Sequence, residues 1–215
     1  MREGSIDLIT IAREFGAGGS ELAEAIGERL GWPVLDRELA HRVARRLELD
    51  PEVVERMDEH APTLLARMAS AMLVCPPEAP LFVDAASVLS PDAVANATRL
   101  ELQEAARTPP LVIVGHGGQC LFRDRPGTLH LRLVAPIADR VARVCGRLDC
   151  DPKTAAAQLR QADEDRNAYI RRYHEAEWRN PLLYDLEINT GRIAIPVAAD
   201  LVARLVEVPA AAGAG

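Results

Sequence analysis

A short run of apolar and β-branched residues, Asp7 to Ala12 (DLITIA), leads directly into Arg13-Glu14-Phe15-Gly16-Ala17-Gly18-Gly19-Ser20, and a helical pattern follows at once. A buried strand that ends in clustered small residues and restarts as a helix constrains the fold more than any other feature of the chain. Such a turn lets backbone N–H groups converge, and the helix N-terminus adds positive potential, a combination suited to a polyphosphate. Gly16, Ala17, Gly18, Gly19 and Ser20 are the expected phosphate-binding residues. Ser20 stands where a hydroxyl either caps the helix or ligates a phosphate-bound Mg²⁺, and both readings stay open at this level. The competing reading is a tight strand-to-helix turn that binds nothing.

The loop departs from the standard spacing G-x-x-x-x-G-K-[ST]. With Ser20 in the Ser/Thr place, Gly19 occupies the lysine place, so the side chain that would reach the terminal phosphates is missing. Arg13, at the strand end, is the candidate to supply that charge. A dinucleotide fingerprint is matched weakly: Asp36 lies at the distance of a ribose contact, but Glu21 stands where the third glycine belongs.

Further along, Ser20 to Leu30 places Leu22, Ala23, Ile26 and Leu30 at helical spacing, and Gly31 stops the helix. Short apolar runs at Trp32–Leu35, Leu111–Val114, Leu129–Val134 and Leu186–Asn189 bring the expected strands to five. Helical patterns cover Ser90–Arg107, Ala138–Leu148, the charged stretch from Asp151 to about Glu177, and Ile195–Val206. Strands alternating with helices predict a parallel sheet covered on both faces. The expected fold is therefore a three-layer α/β P-loop NTPase fold over residues 1–208. Residues 37–108 read as a helical excursion beside the sheet, as would suit a substrate-covering subdomain, interrupted at Pro51, Pro62 and the Pro-rich Val74–Pro80, and 146–180 read as a further helical region. The composition of residues 209–215 (PAAAGAG) predicts a disordered tail.

The motifs fall in an order that resembles the cytidylate kinase-like family. Ile9 to Ala23 (ITIAREFGAGGSELA) is similar to the family's opening, where R-E-F-G-x-G-G is the usual loop and lysine is typically missing. Leu35-Asp36-Arg37-Glu38 resembles its D-[KR]-E, and Ile113 to Gly118 (IVGHGG) its I-V-G-R-G-[AG]. Asp163 to Tyr173 (DEDRNAYIRRY) resembles its D-x-x-R-x-x-Y lid helix, and Asn180-Pro181, Tyr184-Asp185 and Asn189-Thr190 resemble its ending. The resemblance implies acceptor contacts from Asp36, Arg42 and the residue at His116, where the family carries Arg. It also implies a lid cation at Arg166, with Asp163 on the same helix face, that closes over the transferring phosphate. Arg140 and Arg143 are additional candidates to face the donor phosphates. Catalysis would then rest on Arg13, Arg166 and Asp163, with Mg²⁺ held by Ser20 through the phosphates.

The resemblance implies an ATP- and Mg²⁺-dependent phosphotransferase that moves the γ-phosphate to a CMP- or dCMP-like monophosphate or a related small acceptor. Because imidazole is shorter than guanidinium and makes no bidentate fork, a nucleotide-binding module without turnover stands beside it. A formal charge of −7 argues against a general nucleic-acid binder, so the expected partners are small nucleotides. Lys153 is the single lysine among 25 basic residues, a bias that genome composition accounts for at most positions, although arginine also forms bidentate contacts with phosphate. Cys75, Cys120, Cys145 and Cys150 form no C-x-x-C pair, which predicts idle thiols in a reducing cytoplasm. No apolar run approaches the roughly 20 residues that span a bilayer.

Overall fold

The run of residues buried on both faces from Leu8 to Ala12 forms the central strand β1 (Leu8–Arg13) of a five-stranded sheet. In the computed structural model, which describes residues 5–36, 38–47 and 91–207, helix α1 (Gly19–Leu30) follows the glycine loop. Then come β2 (Val34–Leu35), α2 (Glu38–Arg46), α3 (Pro91–Ala105), β3 (Leu111–Val114) and the four-residue α4 (Gly118–Leu121). The chain continues through β4 (Thr128–Val134), α5 (Ile137–Leu148), α6 (Pro152–His174), a 3₁₀ turn (Pro181–Leu183), β5 (Leu186–Asn189) and α7 (Ile195–Glu207). All strands pair in parallel in the order β2-β3-β1-β4-β5. This is the three-layer α/β fold expected from the sequence, with helices on both faces of the sheet.

The chain divides into two compact units, Met1–Asp36 with Ala106–Gly215, and Arg37–Ala105. In the second, α2 packs on α3, buries Leu39, Val43 and Ala44, and carries an ion pair from Arg46 to Glu101. The Pro-rich segment, Cys75 and the tail lie outside the described residues.

Alternation along the strands sorts the first unit into two layers. Ile9 and Ile11 of β1 and Leu129, Leu131 and Leu133 of β4 join one core with Leu22, Ala23 and Ile26 of α1 and Ala198, Ala199 and Val202 of α7. Leu22 and Ile26 are fully buried, and each such side chain contributes about 1.5–3 kcal/mol. On the opposite face, Thr10 of β1 packs against Gly118 of α4 and hydrogen-bonds the His130 ring at 2.7 Å. Arg132 is buried there as well, paired with Glu187 at 2.6 Å and flanked by the Trp178 and Tyr184 rings at 5.6 and 5.8 Å. β4 is thus apolar on one face only, and buried polar partners complete the other.

Leu8 is in register with Leu111 on one side and Thr128 on the other, so β1, β3 and β4 begin level, and β1 and β4 continue beyond the end of β3. The chain leaves β1 toward β2 and later crosses to β4, which makes the C-terminal end of β1 the switch point where α/β sheets open a crevice.

Candidate phosphate-binding site

Gly18 caps the N-terminus of α1 in the left-handed region (φ 83), and no side chain caps that helix end. Ser20 is not the cap: its hydroxyl donates to Asp36 at 2.6 Å, tying the start of α1 to the end of β2. Gly16 also has a left-handed backbone (φ 79), and a Cβ there would stand 3.0 Å from the Arg140 carbonyl oxygen. Both glycines are required by the curl itself.

The carbonyls of the loop are held one after another. Arg166 donates to the Arg13 carbonyl at 3.0 Å, the Ala17 amide to Glu14 at 3.1 Å, and Arg140 to Phe15 at 3.0 Å. Arg143 donates to Gly16 at 3.3 Å, the Thr190 hydroxyl to Ala17 at 2.8 Å, and the Leu22 amide to Gly18 at 3.0 Å. Every carbonyl from 13 to 18 therefore has a donor: side chains of Arg166, Arg140, Arg143 and Thr190 hold four of them, and amides of the loop and α1 hold the other two. The amides of Gly16, Gly18, Gly19 and Ser20 meet no acceptor among the described residues. The peptides that carry the Gly16, Gly18 and Gly19 amides have their oxygens fixed on one side and present N–H on the other, so this part of the loop is an amide cradle for an anion.

The scaffold behind the loop is a buried ionic network. Arg140, 5% exposed, also reaches Glu14 at 2.9 Å and Asp163 at 2.5 Å. Asp163 accepts the Phe15 amide at 2.8 Å and lies 3.6 Å from Arg166. Burial pushes the Asp163 carboxyl up from its ordinary value, opposed by the Phe15 amide and the guanidiniums of Arg140 and Arg166, while Glu14 adds to the rise. Glu14 also stands 3.9 Å from Arg132. Phe15 lies between the guanidiniums of Arg147 and Arg166, at 5.2 and 5.6 Å from its ring.

Beside the loop, Arg13, Asp36, His116 and Arg166 come together. Burial lowers the Arg13 guanidinium, and the neighbouring Asp36 carboxylate opposes that shift. Arg166 is lowered to about 9 by burial first and by Arg13 next, while Asp163 opposes. His116 is pushed down to about 4 by burial and by Arg13, with Asp36 opposing and Arg166 adding to the shift, so it is neutral at pH 7. Its backbone has φ 53 between two left-handed glycines, Gly115 and Gly117, an arrangement that costs of order 1–3 kcal/mol and is typical of functional sites.

The structure thus gathers Arg13, Gly16 to Ser20, Asp36, His116 and Arg166 at one end of the sheet. Arg140, Arg143 and Asp163 lie behind the loop and hold its backbone, with Arg143 also bound to Thr190 at 3.0 and 2.7 Å. Arg42 lies on α2 in the other unit and pairs with Glu38 one turn away at 3.0 Å. Sequence reasoning gave Glu14 and Thr190 no role, although both lie within quoted motifs. Their signal was a polar residue adjoining a glycine loop or closing a strand. Among the described residues no cluster of three or more His, Cys, Asp or Glu is arranged for a metal. No helix among them is long and apolar enough to cross a membrane.

Known structures share this fold. An uncharacterized protein from Eubacterium ventriosum is 21% identical with TM-score 0.66, covering 93% of this chain and 98% of its own. A shikimate kinase from Acinetobacter baumannii, solved with shikimate, is 15% identical with TM-score 0.53, covering 94% of this chain and 93% of its own. A gluconokinase from Sinorhizobium meliloti is 17% identical with TM-score 0.53, covering 96% of each chain. These likenesses show the fold. A curated uronate isomerase from Corynebacterium glutamicum is 31% identical over 91 residues, which is 42% of this chain and only 18% of that protein. The model of the cytidylate kinase-like family matches residues 8–192, which include the glycine loop, His116, the α6 arginine and Thr190, and the chain belongs to that family.

Proposed function

We propose that the protein is an ATP-dependent phosphotransferase whose Gly16–Ser20 loop holds the donor phosphates. The observation that carries this reading is the loop in which every carbonyl from 13 to 18 has a donor while the amides of Gly16, Gly18, Gly19 and Ser20, at the N-terminus of α1, meet no acceptor among the described residues. Arg166 is anchored to that loop and supplies positive charge beside it. Ser20 and Asp36 are the groups that would hold Mg²⁺, which offsets phosphate charge when bound.

In the transfer, a bond forms from an acceptor oxygen to the γ-phosphorus while the bond from that phosphorus to the β–γ bridging oxygen breaks. ADP leaves with the electron pair of that bond. An ionised acceptor phosphate has no proton to lose, whereas a hydroxyl acceptor passes its proton to Asp36. The acceptor is a CMP- or dCMP-like monophosphate or a small hydroxylated molecule. The neutral imidazole at His116 favours the second, because it offers a phosphate neither charge nor a bidentate fork. The shikimate kinase and gluconokinase that share the fold act on acceptors of that kind.

The test is turnover: ADP release with Mg²⁺-ATP against CMP, dCMP, UMP, AMP and a set of small hydroxy acids. Turnover with one acceptor supports the reading and names the substrate. ATP binding without turnover on any acceptor would replace it by a nucleotide-binding module, motivated by the same His116.

A further inference from the structure

Gly19 stands in the place where a phosphate-binding loop ordinarily carries lysine, and the structure shows what fills the space a side chain would take. A Cβ on Gly19 would stand 2.6 Å from Cγ of Arg13 and 3.1 Å from its Cβ and Cδ. Real Cβ atoms do not approach other carbons so closely, and the obstruction is the stem of the arginine rather than its flexible end. The side chain of Arg13 therefore leaves the end of β1, crosses the Cα of Gly19 and continues toward the end of β3. There a Cβ on Gly115 would overlap Nη1 of Arg13 and stand 3.0 Å from its Cζ. Two glycines thus floor the path of one arginine, whose head arrives beside Asp36, His116 and Arg166 in front of the amide cradle.

We propose that Arg13 binds the terminal phosphates of the nucleotide in place of the missing loop lysine, reaching them from the end of β1 across Gly19. The inference rests on the amide cradle's being a nucleotide site and assigns the cation that completes it. A lysine at position 19 and an arginine at position 13 exclude each other, because the stem of one fills the first turn of the other. The charge has moved by one strand-to-loop step, and the loop has lost a side chain to admit it. Guanidinium also presents several donors in a plane, so it grips two phosphate oxygens where lysine offers a point charge. Its burial over the two glycines weakens its own hydration, which favours exchange of water for phosphate when an anion arrives.

A structural role alone, in which Arg13 only joins β1, β2 and β3 through Asp36, predicts different behaviour from a phosphate-binding one. The experiment is calorimetric titration with ATP, ADP and AMP, each with Mg²⁺, on the wild type, Arg13→Gln, and the double variant Arg13→Ala/Gly19→Lys. Gln keeps much of the stem over Gly19 and removes the charge. We expect R13Q to weaken ATP binding about 10- to 100-fold, as for loss of a charge-assisted contact, and AMP binding less than about threefold. The preference for ATP over AMP then collapses. The double variant restores ATP affinity to within about tenfold of the wild type, because the lysine occupies the vacated path.

Loss of ATP and AMP affinity in equal proportion, or an R13Q protein that binds ATP as the wild type does, overturns the proposal and leaves the cradle standing. If R13Q fails to fold, the double variant decides alone: ATP affinity near the wild type supports the exchange, and weak ATP binding by a folded double variant refutes it. A wild type that binds none of the three nucleotides sinks the nucleotide reading itself, and this inference with it.

Discussion

Asp163→Asn removes one charge from the pair that joins α6 to the glycine loop, and its cost follows from three contacts. The carboxylate accepts the Phe15 amide at 2.8 Å and Arg140 at 2.5 Å, with Arg166 3.6 Å away. An asparagine carbonyl still accepts from Phe15, so that bond survives. Its amide then faces Arg140, a side chain 6% exposed that loses one of two carboxylates and retains Glu14 at 2.9 Å. Removing one partner of a buried pair costs about 3–5 kcal/mol, and the surviving Glu14 contact argues for the lower end, about 3 kcal/mol. For a chain of 215 residues that corresponds to a fall in Tm of about 6–12 °C. Urea denaturation and calorimetry on D163N, R140M and the double variant check it. The singles should each be destabilised, and the double should fall short of their sum by about 1–3 kcal/mol. A D163N protein within about 0.5 kcal/mol of the wild type, or strict additivity, would refute the claim that this pair joins the loop to the helix.

Two further outcomes follow from the site. His116 is neutral in the folded chain with its pKa near 4 against an ordinary 6.5, so the unfolded chain binds the extra proton between those values. Stability is full above pH 6.5 and falls as the pH drops toward 4, by about 3 kcal/mol at most, and His116→Asn, which tolerates φ 53, should flatten that part of a denaturation-against-pH profile. Thr190→Val removes the bond to the Ala17 carbonyl and the one from Arg143, which should cost about 1–3 kcal/mol in denaturant melts and weaken ATP binding, whereas unchanged ATP affinity would show that the Ala17 peptide needs no such tether.

The strands and the cradle were legible in the sequence because both are local. β1 carries a run of apolar and β-branched residues and β3 an uninterrupted apolar one, and the glycines of the loop sit within six residues of the end of β1. The roles of Arg140 and Arg143 were not legible. Their partners Glu14, Phe15 and Gly16 lie more than 120 residues away, and an arginine near a phosphate site reads the same from sequence whether it faces the ligand or buttresses the loop. Helix α4 escaped notice because four residues are too few to show a period. The exclusion between Arg13 and Gly19 was equally hidden. Six positions separate them, and only the backbone's path from β1 into α1 shows that one stem lies on the other's Cα.

The held carbonyls of the loop bear on how quickly a nucleotide is captured. Because six successive carbonyls already have donors in side chains or amides, no ordering step has to precede binding. The observed association rate should therefore rise linearly with nucleotide concentration and show no plateau from a slow conformational gate in the cradle. A cradle formed in advance also loses little chain entropy on occupation, so differences in affinity among nucleotides will appear mainly in how long each one stays.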